Sequence, residues 1–309
     1  MRFGCIDIGT NSVRLLIADA DKNGITKIYK GIKTTRLGTG VDITSTLKID
    51  AICRTVDAVT NFVDIARSFH CDKIIAIGTS AVRDALNKEV LLQEIYQKTG
   101  VRVDVISGKK EAELAFKGVA GGIKSCEGKS ILIVDIGGGS TEFTYGEKNK
   151  IKERYSLNIG AVRLTERYLN ESLYDKSHMQ KLSEDIEMNL MLLHRLKEII
   201  LSRGKRIVAV GVGGTITSLA AIDQNLDVYD SEKVHSYVLT YHRVYSILNV
   251  LSGMSSDERK RVKGLMPERA DIIVAGVMIL TKVMEYFELE EISVSEWDNL
   301  EGLIFENIP

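Results

Sequence analysis

The period of the apolar positions changes along the chain, and each change marks an element. Residues 2–8, 13–19 and 25–35 run apolar or alternate at strand length between short polar turns, which predicts a meander of three strands. A helix is predicted over about 50–69, with Asp50 as N-cap and Ile52, Val56, Val59, Val63 and Ala66 at helical spacing. "KIIAIG" (73–78) predicts a short buried strand and "TSAVRDALN" the start of a helix. "VRVDVIS" (101–107) predicts another strand, and "GKKEAELAFKGVAGG" a helix closing at Gly121 and Gly122.

The pattern then restarts. "SILIVDIG", "TEFTYG" and "KIKERYSLN" predict three more strands in succession. A long helix is predicted over about 179–201, with Leu182, Ile186, Leu190, Leu193 and Ile200 on one stripe and Lys197 snorkelling from it. "RIVAVGVGG" predicts a strand that passes through glycines into a helix, "TITSLAAI". The last third reads as helical, chiefly "ERADIIVAGVMILTKVMEYF", followed by a strand "EISVS" and a final helix. The repeated scheme predicts two α/β domains related by duplication, residues 1–121 and 122–309, with a seam near Gly121–Gly128. Only two prolines occur and no low-complexity linker, so a tight hinge and an interdomain ligand cleft are expected.

Composition narrows the partners. With 309 residues, 44% hydrophobic and 27% charged, two ordinary globular cores are affordable in size, and a net charge of −1 gives no global attraction to nucleic acid or an anionic membrane. Any anion site must therefore be local. The four cysteines (Cys5, Cys53, Cys71 and Cys126) have no metal-binding spacing, and Cys5 and Cys53 read as buried, reduced thiols. The absence of a leader-like start and of a membrane-length apolar run leads to an expected cytoplasmic location.

The chemistry lies in the turns. "DIGTNS" (7–12) and "DIGGGS" (135–140) each follow a strand, and Asp7 and Asp135, Gly9 and Gly137, and Ser12 and Ser140 are each separated by 128 residues. Both turns feed strands rather than helices, unlike P-loops and dinucleotide-binding turns. They read as hairpin loops in which glycine allows close backbone approach to a phosphate and Thr10, Asn11 and Ser12, or Gly138, Gly139, Ser140 and Thr141, add donors. Asp7 and Asp135, joined by Glu142, suit a hard cation such as Mg2+. A third loop, "GVGGT" (211–215), does open a helix and offers the amides of Gly213, Gly214 and Thr215. "GGIKSCEGKS" (121–130) imitates a phosphate-binding motif, but its glycine spacing is one residue too long and a strand follows it.

Seven ordered motifs give a resemblance over nearly the whole chain. They are "DIGTNSVRLLI", "IGTSAVRDALN", "ISGKKEAELAFKGV", "VDIGGGSTEF", "NIGAVRLTERY", "GVGGTITSLAA" and "GLMPERADIIVAGVMIL". With them the sequence resembles the exopolyphosphatase/guanosine pentaphosphate phosphohydrolase (Ppx/GppA) family, within the superfamily of actin-like ATPases, sugar kinases and heat-shock chaperones. The resemblance implies two duplicated actin-like (ribonuclease H-like) domains around the cleft. It implies Glu111 as the general base that activates water, Asp7, Asp135 and Glu142 as holders of Mg2+, and Gly9–Ser12, Gly137–Thr141 and Gly213–Thr215 as phosphate cradles. Arg83 matches a position expected to contact substrate phosphate.

The chain departs from the family pattern at two places: Lys110 replaces the first glutamate of the pair that ends in Glu111, and Leu300 stands where an arginine is expected before the Glu-Gly pair. It lacks the His-Asp dipeptide of the C-terminal domain found in longer members, which points to short-chain substrates or a broader range. Lys109 and Lys110 could neutralise further phosphates or simply be solvated. The run "DERKRVKG" (257–264) reads chiefly as a solvated face, His194 reads as exposed, and the five histidines form no metal site. The expected activity is release of terminal phosphate from polyphosphate, with the 5′ phosphate of guanosine pentaphosphate as the alternative. An actin-like kinase or ATPase, and a non-catalytic sensor of these ligands, are the rival readings. The family habit adds a homodimer through the C-terminal helices.

Overall fold

Five strands build the first sheet: β1 (Arg2–Ile8), β2 (Ser12–Asp21), β3 (Gly24–Thr34), β4 (Lys73–Gly78) and β5 (Val103–Val105), in the order β3-β2-β1-β4-β5. The meander β1–β3 is antiparallel, whereas β4 and β5 run parallel to β1. The second sheet contains β6 (Ser130–Ile136), β7 (Thr141–Glu147), β8 (Lys150–Leu157), β9 (Ile207–Val212), β10 (Val238–Thr240) and β11 (Glu291–Val294), in the order β10-β11-β9-β6-β7-β8. This computed structural model describes residues 1–22, 24–123, 129–147, 150–169, 175–203 and 207–308. The fold class is α/β, with two sheets that each contain the three-strand meander the sequence predicts twice.

The duplication extends to irregularities. β6 occupies the positions of β1 shifted by the same 128 residues, and a register shift between Ile17 and Ala18 in β2 recurs between Tyr145 and Gly146 in β7. Burial accounts for the strand patterns. β1 and β6 are covered on both faces and are nearly continuously apolar, while β3 and β8 are edge strands with few or no buried positions.

Two compact units result, Met1–Gly121 with Asp298–Pro309, and Gly122–Trp297. The expected boundary thus needs a correction, because the chain's last helix, Asn299–Asn307, belongs to the first unit. Its Leu300, Leu303 and Ile304 pack with Phe3, Cys5, Leu16 and Leu114 on one face of the first sheet. The other face, with Ile6, Ile8, Val13 and Leu15, is covered by the helix Ile49–Ser68. Leu300, the departure from the family pattern, is therefore a core residue. Gly302 makes the fit possible: a Cβ there would lie 1.9 Å from the carbonyl oxygen of Leu114.

Other expectations shift locally. The N-cap of the Ile49–Ser68 helix is Lys48, and Asp50 instead pairs with Arg54 within the first turn, at 2.7 Å. The helix begun by "TSAVRDALN" spans only Ser80–Asp84, because Ala85 turns extended; a second helix, Lys88–Thr99, ends at left-handed Gly100. Cys5 is buried, and burial pushes its thiol pKa up, but Cys53 is exposed because it lies one residue off the buried stripe. Arg259, inside the run taken for a solvated face, is fully buried. Cys126 and the centre of the 121–130 motif lie outside the described residues, as does the seam beyond Ile123. The long helix runs Lys176–Leu190, one 3-10 turn Met191–Leu193, then His194–Arg203, with Lys197 placing its ammonium 4.7 Å from the centre of the Tyr286 ring. No helix among the described residues is long and apolar enough to cross a membrane.

Gly302→Ala is expected to lower stability by about 1–3 kcal/mol through overpacking against Leu114. Thermal unfolding of the two proteins checks this, and an unchanged midpoint would mean that the last helix does not pack so closely.

Candidate active site

Strand geometry decides where the site residues of the first unit gather. β1, β4 and β5 are parallel, so their C-terminal ends share one edge, where open α/β sheets present loops to ligands. Asp7 and the Gly9–Ser12 turn leave β1 there, Thr79 to Arg83 leave β4, and Ile106 to Glu111 leave β5. Backbone bonds hold these exits together: Thr79 N–H donates to Ile8 O at 3.1 Å, and Ile106 N–H to Gly78 O at 3.0 Å.

The first turn is closed by Gly9 N–H donating to Ser12 O at 3.0 Å, and it is pinned from outside. Asn11 O accepts from Thr35 and Arg36, and Thr10 O from Gly38. Thr10, Asn11 and Ser12 are all buried. Glu111 is buried in the first turn of the helix Gly108–Gly122, and its carboxylate accepts from Arg83 at 3.2 Å. Arg83 also donates to Ile106 O at 3.3 Å, so the structure does bring together the expected base and the expected phosphate-contacting arginine. Lys110 pairs with Glu306 of the last helix.

Asp7 has partners that the sequence reading missed. Alternation along β1 points it to the face of Phe3 and Cys5, and its antiparallel partner in register is Arg14. The Arg14 guanidinium donates to Asp7 Oδ2 and, with its other terminal nitrogen, to Asp298. Asp298 also caps the last helix, accepting from Leu300 N–H at 3.1 Å and forming a capping box with Glu301. Burial raises the Asp7 pKa despite Arg14, whereas for Asp298 burial is outweighed by Arg14 and Lys30 and the pKa falls. Asp7 Oδ1 is buried without a hydrogen-bond partner.

The second unit repeats the arrangement with one change of sign. Gly137 N–H donates to Ser140 O at 2.9 Å, the counterpart of the Gly9 bond. The carbonyls of Gly137 and Gly138 accept from the first amides of the helix Ala161–Tyr168, and Gly139 O accepts from the Arg163 side chain at 2.7 Å. Gly160 allows that approach, since a Cβ on it would lie 2.4 Å from Gly138 O. Thr141 is buried and donates to Ile159 O. Asp135 pairs in register with Glu142, as Asp7 does with Arg14, and both acids are buried. Ser156 donates to Glu142 at 2.7 Å. The duplicated position thus carries a cation beside Asp7 and a second carboxylate beside Asp135.

The third loop abuts this pair. Gly213 has φ +89°, the left-handed region that favours glycine, and a Cβ there would lie 2.7 Å from Asp135 Oδ1. The helix Gly214–Asp223 follows, with Thr215 buried in its first turn. A Cβ on Gly214 would overlap the Arg269 guanidinium at 2.1 Å, which places a cation over the helix N-terminus. That position puts a guanidinium beside the amides of the loop, and on this geometry Arg269 joins the candidate phosphate ligands. The motif "PERAD" carries Arg269 in the sequence, but no local pattern assigns it a role.

Among the described residues, no three acidic, histidine or cysteine side chains gather closely enough to hold a metal ion by themselves. The two-carboxylate pair Asp135/Glu142 nevertheless fits Mg2+, which takes one or two protein carboxylates and completes its shell with water and phosphate oxygens. Asp7 offers one free carboxylate oxygen, the other being engaged by Arg14.

Asp298→Asn keeps a good N-cap but removes the charge facing Arg14, and is expected to cost about 1–3 kcal/mol, less than a fully broken buried pair because Asp7 remains. Asp298→Ala should cost about 1 kcal/mol more through loss of the cap. Urea denaturation of both variants separates the two contributions, and equal losses would assign the whole effect to the charge.

Comparison with known proteins places this arrangement. The model of the Ppx/GppA phosphatase family matches residues 16–309. The chain is 38% identical over 313 residues to the bifunctional 3-dehydroquinate synthase/phosphatase of Fusobacterium nucleatum, covering 98% of this chain and 46% of that protein, so it spans about half the length of that relative. It is 32% identical to exopolyphosphatase 2 of Mycobacterium tuberculosis, covering 98% of this chain and 97% of the relative. The crystal structure of the Aquifex aeolicus PPX-GPPA enzyme superposes with a TM-score of 0.81 at 34% identity, covering 99% of each chain. With its seven ordered motifs and its paired aspartate turns, the chain belongs to the Ppx/GppA phosphatase family, whose relatives are phosphoanhydride hydrolases.

Proposed function

We propose that this protein is an exopolyphosphatase that releases terminal orthophosphate from inorganic polyphosphate. The observation that carries the reading is the buried Glu111 carboxylate paired with the half-buried Arg83 on the same sheet edge as the Gly9–Ser12 turn. It puts a carboxylate base and a phosphate-binding cation beside a loop shaped for close anion approach. Exopolyphosphatase 2 is matched over nearly its full length, which supports polyphosphate over a nucleotide. The guanosine-5′-triphosphate,3′-diphosphate pyrophosphatase of Pseudoalteromonas translucida, 28% identical and covered over 59% of its length, keeps guanosine pentaphosphate as the second candidate substrate.

In this reading the Gly9–Ser12 amides and Arg83 bind phosphate in the first unit, and the Gly137–Thr141 turn, Arg269 and the helix N-terminus at Gly213–Thr215 do so in the second. Glu111 accepts the proton of a water whose oxygen forms a bond to the terminal phosphorus. The bridging P–O bond breaks and its electron pair leaves on the shortened chain, giving orthophosphate. Such a transfer needs positioning and charge stabilisation more than covalent work by the protein. Asp135 and Glu142 would hold Mg2+, and the ion would neutralise charge on the phosphoryl oxygens.

Phosphate release from short polyphosphate, long polyphosphate, guanosine pentaphosphate and ATP, measured in parallel, tests the proposal. Polyphosphate should be cleaved fastest, and Glu111→Gln should lose about 10²–10⁴-fold in kcat while still binding the chain. Faster cleavage of guanosine pentaphosphate would make the protein an alarmone hydrolase, and ligand binding without release would make it a sensor. ATP-dependent phosphate transfer to an acceptor would point to a kinase. Removing divalent cations with a chelator should abolish release, with Mg2+ restoring it, and Glu142→Gln should raise the Mg2+ concentration needed for half-maximal rate. Full activity in chelator would rule out the metal assignment.

A further inference from the structure

The long helix of the second unit has two apolar faces, and the hydrophobic core uses only one. Leu182, Ile186, Leu190, Leu193, Leu196 and Ile200 are buried in the core. On the opposite side Met188 and Met191 are each 68% exposed and Leu192 is 65% exposed. Three large apolar side chains grouped at the middle of one exposed helix face are unlike the single exposed hydrophobics that any surface carries.

The residues around them follow an ordered pattern. Lys181, Glu184, Met188, Met191, Arg195 and Glu198 alternate spacings of three and four, the a/d rhythm of a coiled-coil seam, and all six are exposed. A straight α-helix drifts against a 3.5-residue repeat, but the 3-10 turn Met191–Leu193 overwinds this helix at its centre and brings the second half of the stripe back into line. The stripe is also palindromic in charge. About a point between Asn189 and Leu190, Met188 mirrors Met191, Glu184 mirrors Arg195, and Lys181 mirrors Glu198.

We propose that this face pairs with the same face of a second copy of the chain, the two helices lying antiparallel about a two-fold axis between Asn189 and Leu190. Methionines then fill the centre, with Leu192 widening it, and each end gains a Glu184–Arg195 and a Lys181–Glu198 pair across the interface. A two-fold contact requires the same patch on both partners, and a parallel arrangement would instead set Glu184 against Glu184 and Arg195 against Arg195. Within one copy, Glu184 accepts from Gln180 at 2.8 Å at the exposed surface, and the exposed Arg195 pairs at 2.8 Å with the half-buried Glu153, a pair that turning Arg195 to a partner's carboxylate gives up. One helix per copy makes a small interface, so the association should be reversible and dependent on concentration. This surface differs from the C-terminal helices, since the last helix packs into the first unit's core.

Sedimentation velocity on the full chain over a wide concentration range tests the proposal, with circular dichroism and phosphate release as controls for folding. The wild type should pass from monomer to dimer as concentration rises. Arg195→Glu should weaken the dimer about tenfold or more by facing like charges at both ends, and Met191→Lys should abolish it. Combining Glu184→Arg with Arg195→Glu should restore association, which a change confined to one copy's own fold would not do. A wild type that stays monomeric throughout would overturn the proposal and leave the face to another partner. A dimer indifferent to Met191→Lys, or a swap that fails to rescue, would overturn it as well.

Discussion

Two hairpin closures, one in each unit, set the geometry on which the loop edge of that unit depends. The bond from Gly9 to Ser12, and its copy from Gly137 to Ser140, fix the register of β1 against β2 and of β6 against β7. Because side chains alternate along a strand, that register decides which residues share a face with each aspartate; a slip of one residue would send Asp7 or Asp135 to the opposite side of its sheet. The positions across from the aspartates are consequently fixed too, Arg14 in one unit and Glu142 in the other.

That pair of positions gives the two halves different chemistry on one scaffold. Beside Asp7 a guanidinium offsets the buried charge and links β1 to the cap of the last helix, so the loop edge of the first unit is anchored by the chain's own return. Beside Asp135 a second carboxylate concentrates negative charge against the third loop, an environment that suits a cation. Each unit also sets a guanidinium beside its loops, Arg83 on Glu111 in the first and Arg269 over the helix at Gly214 in the second. Net charge near zero leaves any attraction for phosphate to placed groups and backbone amides rather than to a basic surface.

Much of this was legible in the sequence because it is local or repeated. Strand-length apolar runs, the 128-residue offset and glycines at hairpin turns are consequences of backbone sterics, and a single sequence records them directly. Arg14 could have been found by the same offset, since it occupies the position that Glu142 holds in the second copy. Asp298 could not, for its partner lies at the other end of the chain. Cys53 and Asp50 were misplaced for a related reason: one residue of rotation on a helix separates a buried side from an exposed one, and side-chain partners decide which potential cap is used.

By itself, then, the sequence determined the α/β class, the duplication, the three glycine loops and the acids beside them, all properties of segments a few residues long. Tertiary structure alone decided that residues after 298 complete the first unit, that Leu300 is core, that Arg14 bridges Asp7 and Asp298, and that Arg269 covers the third loop. Those facts depend on which distant surfaces are complementary enough to exclude water, and no local pattern of polarity encodes that choice.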